Sequence, residues 1–133
     1  MLHRSFCSAL VLGSVSLAGC NNPFAGGYSC PAVVTPAIVV EIRDARTGVP
    51  LANAARGAVH EGAYVDSLTP YEANASDANS LFSRRAADER PGTYSVEVVH
   101  AGYRAWTVSG VRAVAGTCGV RTRRISASLE PGP

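Results

Sequence analysis

Alternation with a period of two sets the limits on what this chain can become. From Ala37 to Arg43, Ile38, Val40 and Ile42 alternate with Val39, Glu41 and Arg43. Successive side chains of a strand point to opposite faces, so this pattern gives one apolar and one largely polar face, as a half-buried strand requires. Thr93 to His100 repeats it, with Tyr94, Val96 and Val98 on one face. Turn-forming clusters punctuate the rest: Asp44 to Gly48, Glu61-Gly62, Glu89-Arg90-Pro91-Gly92 and Ala101-Gly102. Asp and Gly there supply local backbone acceptors and positive φ. Between them the pattern predicts strands at 55–60, 63–68, 80–85, 103–111 and 119–129. Within 103–111, Tyr103, Ala105 and Thr107 share a face, and Trp106 and Val108 lie across it. The stretch 49–54 reads as an extended edge, because Pro50 cannot donate to a ladder. The polar run 69–79 reads as a loop. Candidate helices at 54–59 and 86–89 are too short. Seven or so short strands with regular turns predict an all-β fold, a β-sandwich.

The first residues follow a different logic. Met1 to Arg4 is short and positive, and Ser5 to Ser16 is apolar. Leu17-Ala18-Gly19-Cys20 follows. A charged start, a short apolar core and small residues before a cut site define a secretory leader. The last four residues resemble, position by position, the lipobox of bacterial lipoproteins. That resemblance implies a helical signal peptide at 1–19, cleavage before Cys20, and a diacylglycerol on the Cys20 thiol with acylation (palmitate) of the new amino group. The expected protein sits extracytoplasmically in the bacterial cell envelope, bound to a membrane by lipid. Asn21 after the cysteine favours the outer membrane in a Gram-negative cell. A membrane-spanning helix fits less well: the apolar stretch is interrupted by Ser8 and Ser14 and falls short of the roughly 20 residues a bilayer core demands. An ordinary secretory leader with an unrelated cysteine is the other alternative.

On this reading 114 of the 133 residues remain (133 − 19), enough for one domain. They divide into a lipidated tether, 20–29, and a domain, 30–133. All 12 basic residues are arginines, and without Arg4 they stand at 11 against 10 acids. A total near neutrality makes no case for nucleic acid or an anionic surface. With Cys7 removed and Cys20 lipidated, Cys30 and Cys118 are left in an oxidising compartment, where one disulfide is available. Closing that 87-residue loop (31 to 117) would contribute about 4.5 kcal/mol on the chain-entropy view. The alternative is two free thiols.

The domain resembles the carboxypeptidase regulatory-like domains, which have a transthyretin-like, seven-strand Greek-key sandwich. Val39 to Asp44 leading through Thr47-Gly48-Val49-Pro50-Leu51-Ala52-Asn53-Ala54 is similar to their opening strand and turn. Pro91-Gly92-Thr93-Tyr94-Ser95-Val96-Glu97-Val98 is similar to a later strand, and Ala101-Gly102-Tyr103 to the turn after it. The match covers about 37–129, without a landmark in 69–87. Read from the residues themselves, Leu51 and Ala54 can close the edge of the core. The resemblance implies a fold and an accessory role, not a reaction. Hydroxyisourate hydrolases of this fold end in a Tyr-Arg-Gly-Ser tail; this sequence reads Leu129-Glu130-Pro131-Gly132-Pro133.

Chemistry is sparse. His60 and His100 have no Cys or His at ligand spacing, so no metal or other cofactor is expected. Neither they nor Glu61 and Asp66 make a recognisable nucleophile-and-base set, and no catalytic residue is assigned. Tyr64, Tyr71, Tyr103 and Trp106 invite a binding reading, since aromatics on a sandwich can stack on sugars or anchor a protein, and Trp106, Tyr103 and Tyr64 are the candidate binding residues. Arg84-Arg85 and Arg121, Arg123 and Arg124 read as a mixed, solvated face. The expectation is a non-enzymatic lipoprotein that binds an envelope protein or serves a structural role. A carbohydrate- or peptide-binding module and an uncharacterised hydrolase are the rivals.

Overall fold

The computed structural model describes residues 27, 29–71 and 82–133. The leader at 1–19, Cys20 and most of the tether lie outside the described residues, as do 72–81 of the expected loop and the strand after it.

The described residues form nine strands and no helix. They are β1 (Pro36–Asp44), β2 (Arg56–Glu61), β3 (Tyr64–Ser67), β4 (Thr69–Tyr71), β5 (Ser83–Asp88), β6 (Gly92–Val99), β7 (Trp106–Gly116), β8 (Gly119–Arg121) and β9 (Arg123–Leu129). One sheet has the order β4-β5-β1-β9 and the other β3-β2-β6-β7-β8. They face one another in a β-sandwich-like, all-β fold. Most neighbours are antiparallel, but β1 and β9 run parallel, with Ile38 level with Arg123 and Asp44 level with Leu129. The core draws Ile38, Val40 and Ile42 from β1, Val59 from β2, Tyr94, Val96 and Val98 from β6, and Ala127 and Leu129 from β9. Each fully buried Val, Leu or Ile is worth about 1.5–3 kcal/mol against leaving it in water. The whole core cluster and the Cys30–Cys118 disulfide lie within 30–129, so this unit carries its own folding determinants.

The turn after β1 forms for a local reason. Asp44 Oδ1 accepts the amides of Arg46 and Thr47 at 2.7 and 2.9 Å, and Gly48 takes φ of 71°. Beyond it the expected edge is reduced to one bridge, between Pro50 and Arg43. The chain then turns, the Ala55 amide reaching the Leu51 carbonyl at 3.1 Å. That turn changes which side chains point inward. Ala52 and Ala55 are fully buried and Leu51 packs beside them, while Ala54, expected at the core edge, is exposed.

Two further departures concern sheet crossings. Thr69 to Tyr71, expected in a loop, is the edge strand β4, with Pro70 tolerated because the outer side of an edge needs no donor. The single strand expected at 119–129 is two, β8 in one sheet and β9 in the other. They part at Thr122, whose Oγ1 donates to the Pro36 carbonyl at 2.8 Å.

Candidate functional site

The three aromatic candidates do not converge. Tyr64 stands at the end of β2, level with Glu61, whereas Trp106 is level with Val98 near the start of β2. Each is half-buried and packs against the core.

Each tyrosine is engaged with its own chain. The Tyr103 hydroxyl donates to Asp44 Oδ2 at 2.6 Å, joining the chain after β6 to the turn after β1. Asp44 is 8% exposed. The Tyr103 bond, then the Thr47 and Arg46 amides, hold its carboxyl down at about 2, and the same bond raises the Tyr103 phenol. The Tyr64 ring lies under the Arg90 guanidinium, 3.9 Å from its centre, and tilts against Tyr94 at 6.3 Å. Arg90 also pairs with Glu61, which accepts the Thr93 amide at 2.7 Å. The Arg90 bond, followed by that amide, lowers the Glu61 carboxyl and raises the guanidinium. The Tyr94 hydroxyl donates to the Arg90 carbonyl at 2.6 Å, pinning the turn between β5 and β6.

The arginine pairs are separated by the strand's alternation. Arg84 points to the sheet corner, where it donates to the carbonyls of Ala52, Leu68 and Asn53 at 2.7, 3.0 and 3.2 Å. Arg85 and Arg124 both flank Val39 in the register, on the outer face of the four-stranded sheet. Their guanidinium groups lie 6.0 and 5.8 Å from the centre of the Tyr71 ring. Val39 is fully buried there although it lies outside the core cluster. Tyr71 stands among the aromatics the sequence offers for binding, but its place beside Arg85 and Arg124 is not legible there, because its strand reads as loop.

Neither histidine gathers a cluster. His60 sits on β2 between Ser95 and Val65 in the register. His100 meets Tyr103 edge to face at 5.0 Å, and its Nδ1 lies 2.8 Å from the Ala101 carbonyl oxygen. Among the described residues no three His, Cys, Asp or Glu side chains form a group able to hold a metal ion. An open groove of about 350 Å³ runs along Pro91 to Thr93 and Arg112 to Ala115, with Glu61 at its wall.

Cys30 and Cys118 are joined, Cα to Cα 5.2 Å, which ties the start of the described domain to the turn between β7 and β8. Thr35 reinforces this end: its amide bonds the Glu89 carboxylate and its carbonyl accepts the Glu89 amide at 2.9 Å. No helix among the described residues is long and apolar enough to cross a membrane. No known family matches the chain, and no curated protein is found to be similar to it.

Proposed function

We propose that the chain is a lipid-anchored, extracytoplasmic lipoprotein whose sandwich is a non-catalytic binding or structural module of the cell envelope. The observation that carries this reading is the Cys30–Cys118 disulfide. Disulfides persist in oxidising compartments, and this one accounts for the two cysteines left once Cys7 goes with the leader and Cys20 is assigned to lipid. The finer fold assignment belongs to the same proposal: a seven-strand, Greek-key, transthyretin-like sandwich of the carboxypeptidase regulatory-like kind. Two sheets around one core support it, with β4 and β8, three residues each, as additions at the edges.

In a binding role the candidate surfaces are sheet faces rather than a cleft. Tyr71 with Arg85 and Arg124 offers one on the four-stranded sheet, and Trp106, Tyr103 and Tyr64 contribute aromatic edges elsewhere. An envelope protein is the partner favoured, and a carbohydrate or peptide is the alternative ligand.

The test is metabolic labelling with an alkyne-bearing palmitate in a bacterial host. The full chain is expected to take up label and fractionate with membranes. The Cys20→Ala chain should do neither and should retain its leader. Equal labelling of both chains, or none of either, would sink the anchor.

A further inference from the structure

The near-neutral total charge hides a segregation by end. The disulfide fixes Cys30 to the turn between β7 and β8, so the tether reaches the domain at that end. Arg121 lies three residues past Cys118, and Arg123 and Arg124 open β9, level with Ile38 and Val39. In the other sheet, Arg112 and Arg121 stand on the neighbouring strands β7 and β8, Arg121 level with Val114 and Arg112 two residues further along. All four arginines are exposed, and none has an ion-pair partner among the described residues.

The acids of this end are turned to internal work. Glu61 holds Arg90 and the Thr93 amide, Glu89 holds the Thr35 amide, and Asp88 lies 3.6 Å from Arg85. Arg112 and Arg121 repel one another across the neighbouring strands β7 and β8, Arg123 and Arg124 add charge from the edge of the other sheet, and an external anion offsets that cost. Val33 and Val34, just past the disulfide, are 65% and 60% exposed, and Val114 beside Arg121 is 40% exposed. Exposed arginines interleaved with exposed valines suit an interface that is anionic at the surface and apolar beneath.

We propose that this end of the sandwich docks on the anionic phospholipid headgroups of the bilayer that holds the anchor. The inference rests on the lipid-anchored reading of Cys20. The ten residues 20–29 span at most about 35 Å when fully extended, so the leash keeps the arginines within reach of the surface. The domain is then oriented as well as tethered, with Arg46, Arg104 and the Tyr103–Asp44 bond facing away from the membrane.

The test uses residues 21–133, which contain the whole core and the disulfide but no lipid, and measures co-sedimentation with vesicles. Partition is expected into phosphatidylcholine vesicles containing phosphatidylglycerol, not into phosphatidylcholine alone, and salt should reverse it. Each arginine near such a surface contributes about fivefold in partition. Replacing Arg112, Arg121, Arg123 and Arg124 with Gln should therefore weaken binding several-hundred-fold. The milder pair Arg121→Gln and Arg123→Gln should weaken it about 25-fold, which reads the effect if the fourfold variant folds poorly. Arg46→Gln with Arg104→Gln, at the opposite end, should leave binding unchanged. Equal partition into both kinds of vesicle overturns the proposal, as does equal loss from the opposite-end pair. Neither result bears on Cys20 labelling, so failure of the anchor and failure of the docking are told apart.

Discussion

At the scale of single residues, the Tyr103–Asp44 bond concentrates the chain's pH dependence in the acid range. Asp44 is held at about 2, against 3.8 for a free aspartate. A depressed carboxyl stabilises the fold only while it is charged more readily folded than unfolded. Its contribution is complete above the unfolded value and is lost as pH falls toward the folded one. Stability should thus be level near neutrality and fall between about pH 4 and pH 2, with Glu61 acting in the same direction. Tyr103→Phe removes the first cause of the Asp44 shift and leaves the two amides. In that variant the Asp44 carboxyl, followed by NMR, is expected to titrate at a higher pH, though still below 3.8. Its neutral-pH melting temperature should drop and its acid loss should shrink. A Tyr103→Phe chain whose Asp44 titrates as in the wild type would refute the role given to this bond.

The elements show what their sequences could and could not convey. β1 and β6 were legible because their inner and outer faces differ in every second residue. The Asp44 to Gly48 turn was legible because Asp and Gly perform different, necessary tasks in it. Crossings between sheets were harder to see, since hydrogen-bonding partners are not written in composition. A signal for one of them was nevertheless present. Val120 points inward on an even number, and Ile125, Ala127 and Leu129 on odd ones. The change of parity marks the break at Thr122. β7 carries the same mark: Trp106 and Val108 give way to Val111 and Ala113 where Gly110 takes φ of 74° and the register to β6 slips. One extra residue there is a bulge, and it re-aims the rest of the strand. The Tyr71 face was illegible because Thr-Pro-Tyr has no alternation to read. Nor could the sequence show which sheet face Arg85 and Arg124 would share.

Gly57 on β2 supplies the element-scale test. A Cβ there would lie 2.0 Å from the Glu97 carbonyl oxygen and 2.8 Å from Leu68 Cδ1. Backbone cannot yield as a side-chain tip does, so Gly57→Ala must push β2 off β6 as well as shift Leu68. A loss of at least about 2 kcal/mol in chemical denaturation is expected, at the upper range for overpacking. A neutral substitution would mean that the two strands approach less closely than described.

For the molecule as a whole, the parallel pairing of β1 with β9 joins the beginning of the sandwich to its end. Such long-range contacts form late, because most of the chain must be in place before they can close. The disulfide adds a second long connection, from Cys30 to Cys118. Together they give the domain a load path. Tension entering at Cys30 crosses directly to Cys118 and leaves through β8 and β9, bypassing everything between. Only 119–133 can be drawn out, roughly 50 Å of extended chain, against roughly 350 Å once the bond is reduced. Pulling the oxidised and reduced domain by its two ends in an optical trap should give those two lengths. If the proposed anchor at Cys20 holds it, a protein so built would transmit a tug to its membrane as a short, stiff strap, with Val120, Ala127 and Leu129 the part of the core in the line of force.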